Sequence, residues 1–249
     1  KKKYYESLKL LTEFQIKNFE LEFNKNNKKL IELENLRVQL VESYLYKKEN
    51  FNYLMNNFLE KIKINGIIPF AKYARNAFIA KKILNSLKEN NYINLNKMNK
   101  VLNSLNTITS QFLSLSKTKD KNSETKSVFE NLFYHLRPGT YDITVKRLNP
   151  NIKKRKIKNL EFLLSFKNSS TNLLSLNEKK KIDKFLLKNN LKFNAAKLYN
   201  YIVLSLKLRE NSKFIFTRAL SDYLQIIQKW GQKKLMSPEI LSNFNIKDI

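Results

Sequence analysis

The residues best suited to chemistry lie together mid-chain, from Tyr134 to Thr144, in a stretch that holds the only His, one of the three Gly and one of the four Pro of this 249-residue chain. Apolar Val128, Leu132, Phe133 and Leu136 before it fall at helical spacing. Arg137-Pro138-Gly139 then predicts a stop. Proline removes an N–H and disfavours the helical region for Arg137, and Gly139 accepts a positive φ. The turn displays a guanidinium (Arg137), a phenol (Tyr141), a carboxylate (Asp142) and the hydroxyls of Thr140 and Thr144. In a chain so poor in breakers, such a set marks either a candidate site or a helix-capping turn in which Asp142 accepts backbone N–H groups. His135 can move a proton or take a phosphoryl group, and it can equally sit at a helix C-terminus favoured by the dipole.

The elements that must hold this turn read as helices. Tyr5, Leu8, Leu11, Ile16 and Phe19 predict an amphipathic helix over residues 1–24. Asn24 to Asn27 reads as a polar break, followed by a second, antiparallel helix over 28–48 whose stripe runs Leu30, Leu33, Leu36 or Arg37, Leu40, Val41, Tyr44 and Leu45. A further helix from Phe51 ends at Asn65-Gly66. Pro69 opens the next, with Ala71, Ala74 and Ala77 as a small-residue strip and Arg75 beside it, either a packed or ion-paired stem or a phosphate or substrate contact. A helix capped at Asn94 or Asn96 runs to Phe112, a polar linker covers 114–124, and a basic loop covers Lys146 to Lys158. Residues 165–176 form another loop, and Asn177 caps a short helix. Asn194 caps a last long helix stopped by Gly231, and Ser237-Pro238 opens a short one. On the long helix Arg209 and Lys213 share a face and present two cations to one anion, whereas Arg218 and Asp222 make an i, i+4 pair.

Composition agrees with this class. Hydrophobic residues at 42% are enough for a core, Gly 3 and Pro 4 disfavour turn-rich β architectures, and Cys 0 with His 1 excludes disulfides, thiol catalysis and Cys- or His-based metal sites. No apolar run reaches the roughly 18 residues of a membrane span, and neither a signal nor a transit peptide is evident, so the default location is cytoplasmic. The net charge of +27 invites a nucleic-acid reading. Only seven of the basic residues are Arg, however, and Lys spread over helix faces reads as a solvated surface, so nucleic acid is not an expected partner. The Lys146 to Lys158 stretch lacks interleaved aromatics.

The turn, His135 to Thr144 (HLRPGTYDIT), resembles a signature of phosphoenolpyruvate synthase-like, dikinase-related phosphotransferases. In that family the signature lies in the all-helical region between the ATP-grasp domain and the mobile phosphohistidine domain, and rifampin phosphotransferase has a similar layout. Gly66 to Ala80, Arg209 to Ser221 and the tail from Leu235 to Ile249 are similar to further segments of the same region, in the same order. The chain departs from the pattern where Tyr134 replaces a Gly, narrowing whatever space that Gly leaves, and at Val145 to Leu148.

The resemblance implies an all-α multi-helix bundle with long antiparallel helices and a central polar turn, one helical domain over 1–249 with a subdivision into 1–116 and 124–249, and a place within a larger enzyme. It implies an acceptor-binding or linker region of an ATP-driven phosphotransferase. Arg137, Arg209, Lys213 and Arg75 would bind phosphate or substrate, Tyr141 would bind the acceptor, and His135 and Asp142 are the catalytic candidates. The partners implied are the ATP-grasp and phosphohistidine domains and a small-molecule phosphoryl acceptor. ATP and Mg are implied for the full enzyme, with no cofactor or metal bound by this chain alone, which is expected to be inactive by itself because it has no phosphate loop and no phosphohistidine motif. A helical scaffold without a site and a basic nucleic-acid-binding module are the alternatives.

Overall fold

The computed structural model describes residues 2–118, 123–150 and 173–245, and among these every regular element is a helix. In order they are α1 (Lys2–Leu45), α2 (Phe51–Ile62), a π-helical turn (Lys63–Ile67), α3 (Ile68–Glu89), α4 (Leu95–Asn103), α5 (Ile108–Thr118), α6 (Ser123–Phe133), α7 (Leu176–Lys188), α8 (Ala195–Lys233) and α9 (Pro238–Ser242). The all-α expectation holds. Contacts divide the chain into two compact units, one of residues 1–28, 70–107 and 161–211, the other of 29–69, 108–160 and 212–249. Each unit is therefore assembled from three separated segments. The sequential subdivision into 1–116 and 124–249 does not follow this grouping.

The expected break at Asn24 to Asn27 is absent: α1 is one helix of 44 residues. Asn26 and Asn27 face inward, and the Asn27 amide oxygen accepts a hydrogen bond from the buried Tyr73 hydroxyl. A buried Asn with a partner costs a helix little, whereas the Gly or Pro that would break it is missing. In the first unit Phe19, Phe23, Tyr73 and Tyr201 pack edge to face, and Tyr201 donates to Asn76 at 2.8 Å. Burial pushes both phenols above their ordinary value, so both stay neutral donors. On α3 the core side is Tyr73, Ala77, Ala80, Leu84 and Leu87, while Ala71 is exposed, so the expected alanine strip is not the packing face.

Glycine also reads differently. Asn65-Gly66 does not end a helix; α2 passes through the π turn directly into α3. The wider turn relieves Pro69, whose missing N–H and bulky ring would disturb a regular α ladder. Gly66 is there for closeness: a Cβ would stand 2.7 Å from Phe216 Cβ and 2.9 Å from a Leu33 methyl. Gly231, expected to stop the last helix, lies inside α8 against Leu241, and the left-handed residue that follows the helix is Leu235, with φ 59°. Gly139 has no positive φ either.

Caps follow side-chain chemistry. Asn94 and Asn194 cap α4 and α8 as expected, each accepting the N–H three residues on. At α7 the cap is Ser175 rather than Asn177, in a capping box with Glu178. The helix expected to reach Phe112 is interrupted at Ser104 to Thr107, and residues 114–118 of the expected linker are helical. Residues 151–158 of the basic loop and 165–172 of the second lie outside the described residues, as do 246–249 of the tail.

Candidate functional site

α6 ends at Phe133, and Tyr134 and His135, in the turn that follows, face inward. The segment then folds back on itself: Leu148 N–H donates to Leu136 O at 2.7 Å and Asn149 N–H to Tyr134 O at 3.0 Å. Inside this loop Asp142 N–H donates to Gly139 O, and the Asp142 carboxylate accepts from Thr144 N–H at 2.8 Å and the Thr144 hydroxyl at 2.7 Å. These bonds, the hydroxyl first, lower the Asp142 pKa.

What holds the loop against α8 is a buried ion cluster within the second unit. Arg37 is 0% exposed and grips Glu34 through both Nε and Nη2, at 2.7 and 2.8 Å. Its Nη1 donates to Asp222 Oδ2 at 2.8 Å, and the same oxygen accepts from the Tyr134 hydroxyl at 2.8 Å. The second Asp222 oxygen takes Arg147 at 2.7 Å. The guanidiniums of Arg147 and Arg218 lie over the Tyr134 ring, 5.2 and 5.0 Å from its centroid. Burial and then Asp222 push the Tyr134 phenol up to about 12, so it remains a neutral donor. Burial works against the charge on Arg37, but the carboxylates of Glu34 and Asp222 hold its pKa raised. The i, i+4 pairing read for Arg218 and Asp222 is replaced by partners for Asp222 that are distant in sequence, Arg37, Tyr134 and Arg147. The space narrowed at Tyr134 is filled by the hub of the network.

The structure places the sequence candidates in three settings. Arg137 points inward, its Nη2 on the Ser221 carbonyl and hydroxyl at 3.4 and 3.3 Å and its Nη1 on Asp142 O at 3.0 Å, while Ser221 donates to His135 O at 2.7 Å. It is thus committed to binding the turn to α8, which corrects its reading as a phosphate ligand. His135 is 1% exposed, packed edge to face on Phe214 with centroids 4.7 Å apart. Burial, then Arg218, Arg37 and Arg147, hold its pKa well below the ordinary value. A neutral imidazole sealed from solvent does not meet an incoming acceptor or phosphoryl donor, so the catalytic reading of His135 is corrected to a packing one. Because neutral His135 binds fewer protons than the unfolded chain, stability is full above about pH 6.5 and falls as pH drops below it. As the sole His, it makes the test clean. The free energy of urea unfolding is expected to fall by about 1 kcal/mol between pH 6.5 and 5.5, and His135→Phe is expected to flatten that slope.

Tyr141 (65% exposed) and Asp142 remain at the surface. With Thr140, Leu224, Ile227 and Phe244 they line an open cavity of about 590 Å³, large enough for a small organic molecule. Gln228 fixes its wall by donating to Ile143 O. Arg75 and Arg209 belong to the first unit, where Arg75 is exposed and Arg209 lies over the Phe78 ring at 5.5 Å. Lys213 belongs to the second and is exposed. Both lie on α8, one turn apart as the sequence predicts, and the Arg209 guanidinium is engaged by Phe78 and lies 3.7 Å from Glu210.

Glu34, Arg37 and Asp222 are the residues sequence reasoning left in the background. A signal existed for Arg37, which occupies a core-stripe position between Leu33 and Leu40. Among the described residues no group of three or more His, Asp or Glu could hold a metal ion, and Glu34 and Asp222 are already engaged by guanidiniums. No helix among the described residues is long and apolar enough to cross a membrane. No family model, curated protein or solved structure matches the chain.

Proposed function

We propose that the chain is the helical acceptor-binding region of an ATP-driven, phosphohistidine-dependent phosphotransferase of the phosphoenolpyruvate synthase-like family, acting with ATP-grasp and phosphohistidine domains in the cytoplasm. One observation carries this reading: parts of the segments that resemble that family, far apart in sequence, meet in the second unit. Gly66 lies against Phe216, His135 against Phe214 and Arg137 against Ser221, while the turn and α9 line one cavity. A network that fixes an exposed turn this firmly supports a positioning role.

In this reading the cavity holds the acceptor. The apolar side chains of Ile143, Leu224 and Ile227 cover its body, and Tyr141 forms a wall. Asp142 Oδ1 is taken by Thr144, which leaves Oδ2 to accept a hydrogen bond from the acceptor hydroxyl and orient it for attack on phosphorus; the P–N bond to the donor's phosphohistidine breaks as the P–O bond forms, and the hydroxyl proton passes to the departing imidazole. The described lining holds no cation, so the charge of the transferring phosphoryl group is neutralised by the donor domain. The chain alone is expected to consume no ATP. The reading is tested with methyl-labelled Ile and Leu in the 249-residue chain and a set of hydroxylated small molecules. Binders that shift the Ile143, Ile227 and Leu224 methyls and weaken with Tyr141→Ala are expected; no binder at these methyls overturns it.

A further inference from the structure

We infer that the outward face of α3 in the first unit is a contact site for single-stranded nucleic acid. Successive helical turns put Ala71, Arg75, Phe78 and Lys82 on one side of α3, opposite the core side chains Tyr73, Ala77, Ala80 and Leu84. Phe78 is 65% exposed, an unusual position for a ring on a charged helix face. Its partner is the guanidinium of Arg209 from α8, 5.5 Å from the ring centroid. Arg75, one turn before Phe78, is exposed and makes no hydrogen bond or ion pair among the described residues. It lines a groove of about 120 Å³ that Phe14, 64% exposed, also lines. Arg75 thus shares a groove with one exposed ring and lies one turn from the other, which Arg209 covers. This is the interleaving that the Lys146 to Lys158 stretch lacks.

The acids nearby do not cancel the charge. Glu22 is held by Lys72 at 2.7 Å, and Glu210 lies 3.7 Å from Arg209, which leaves Arg75 and Lys82 in excess on a chain of net charge +27. Flat exposed rings alternating with guanidiniums stack unpaired bases and hold the phosphates between them. An acidic peptide would need the cations but has no use for the rings, and the bases of a duplex are not free to stack on them. Packing of Arg209 on Phe78 accounts for neither Arg75 nor Phe14.

The test is fluorescence anisotropy of a labelled oligothymidine with the full chain at several salt concentrations. Phe78→Ala is expected to weaken binding about tenfold, the size of one lost base stack, with the salt slope unchanged. Arg75→Gln is expected to reduce the slope by about 0.7, one phosphate contact. Both residues are exposed, and circular dichroism verifies that the variants fold. Heparin, a polyanion without bases, should bind with no dependence on Phe78. No oligothymidine binding, oligothymidine affinity indifferent to Phe78→Ala, or a duplex binding as tightly as the single strand would each overturn the inference. A poly-glutamate peptide that binds with the same Phe78 dependence would overturn it in favour of an acidic protein partner.

Discussion

Asp222→Ala is expected to lower the stability of the chain by about 3–5 kcal/mol, among the largest effects of any single substitution here. The carboxylate accepts from Arg37, Tyr134 and Arg147 at once, and Asp222 and the arginine side chains are all 0% exposed. Removing it leaves two guanidiniums and a phenol buried without their common acceptor, and each must be desolvated with less in return. Glu34 still holds Arg37 through two bonds. Asp222→Asn keeps the shape and one acceptor oxygen and should cost less than Asp222→Ala. Urea unfolding of both variants measures this. An Asp222→Ala chain within 1 kcal/mol of the parent, by the usual scale of surface changes, would mean that the cluster is not what binds the turn to α8.

Tyr134→Ala is expected to cost a similar amount, about 3–5 kcal/mol, for a different reason. The ring is 0% exposed, lies under the guanidiniums of Arg147 and Arg218, and touches the His135 ring with centroids 5.6 Å apart. Truncation opens a cavity lined by cations that have lost a π face, and removes one donor from Asp222. Tyr134→Phe separates the two parts. It keeps the packing and removes only the hydroxyl, so it should cost about 1 kcal/mol, the usual worth of a buried hydrogen bond. Equal losses in the two variants would place the whole contribution in the hydroxyl and none in the ring.

Both effects rest on contacts that no local pattern could reveal. Arg37 and Asp222 are 185 positions apart, and the nearest basic neighbour of Asp222 along its own helix, Arg218, was the natural partner to assign. The all-α class was legible because few breakers and regular apolar stripes leave helices as the way to bury a core. Helix ends were legible where a cap does the work, as at Asn94, Asn194 and Ser237. They were not legible where a polar residue is buried with a partner, as at Asn27, nor where glycine serves closeness, as at Gly66 and Gly231. The central turn was visible as a concentration of polar groups. Which of them face solvent was not, because the inward commitment of Arg137 and His135 depends on Ser221 and Phe214, far along the chain.

The proposed acceptor role meets its most direct test in phosphoryl transfer in trans. The chain would be combined with ATP-grasp and phosphohistidine domains of a phosphoenolpyruvate synthase-like enzyme, labelled ATP and a compound that binds the cavity beside Tyr141. Labelled phosphate appearing on that compound only when the chain is present, and lost with Asp142→Asn while binding persists, is the expected result. Transfer that proceeds equally without the chain, or that is indifferent to Asp142→Asn and Tyr141→Ala, would contradict the assignment of the turn as the acceptor site.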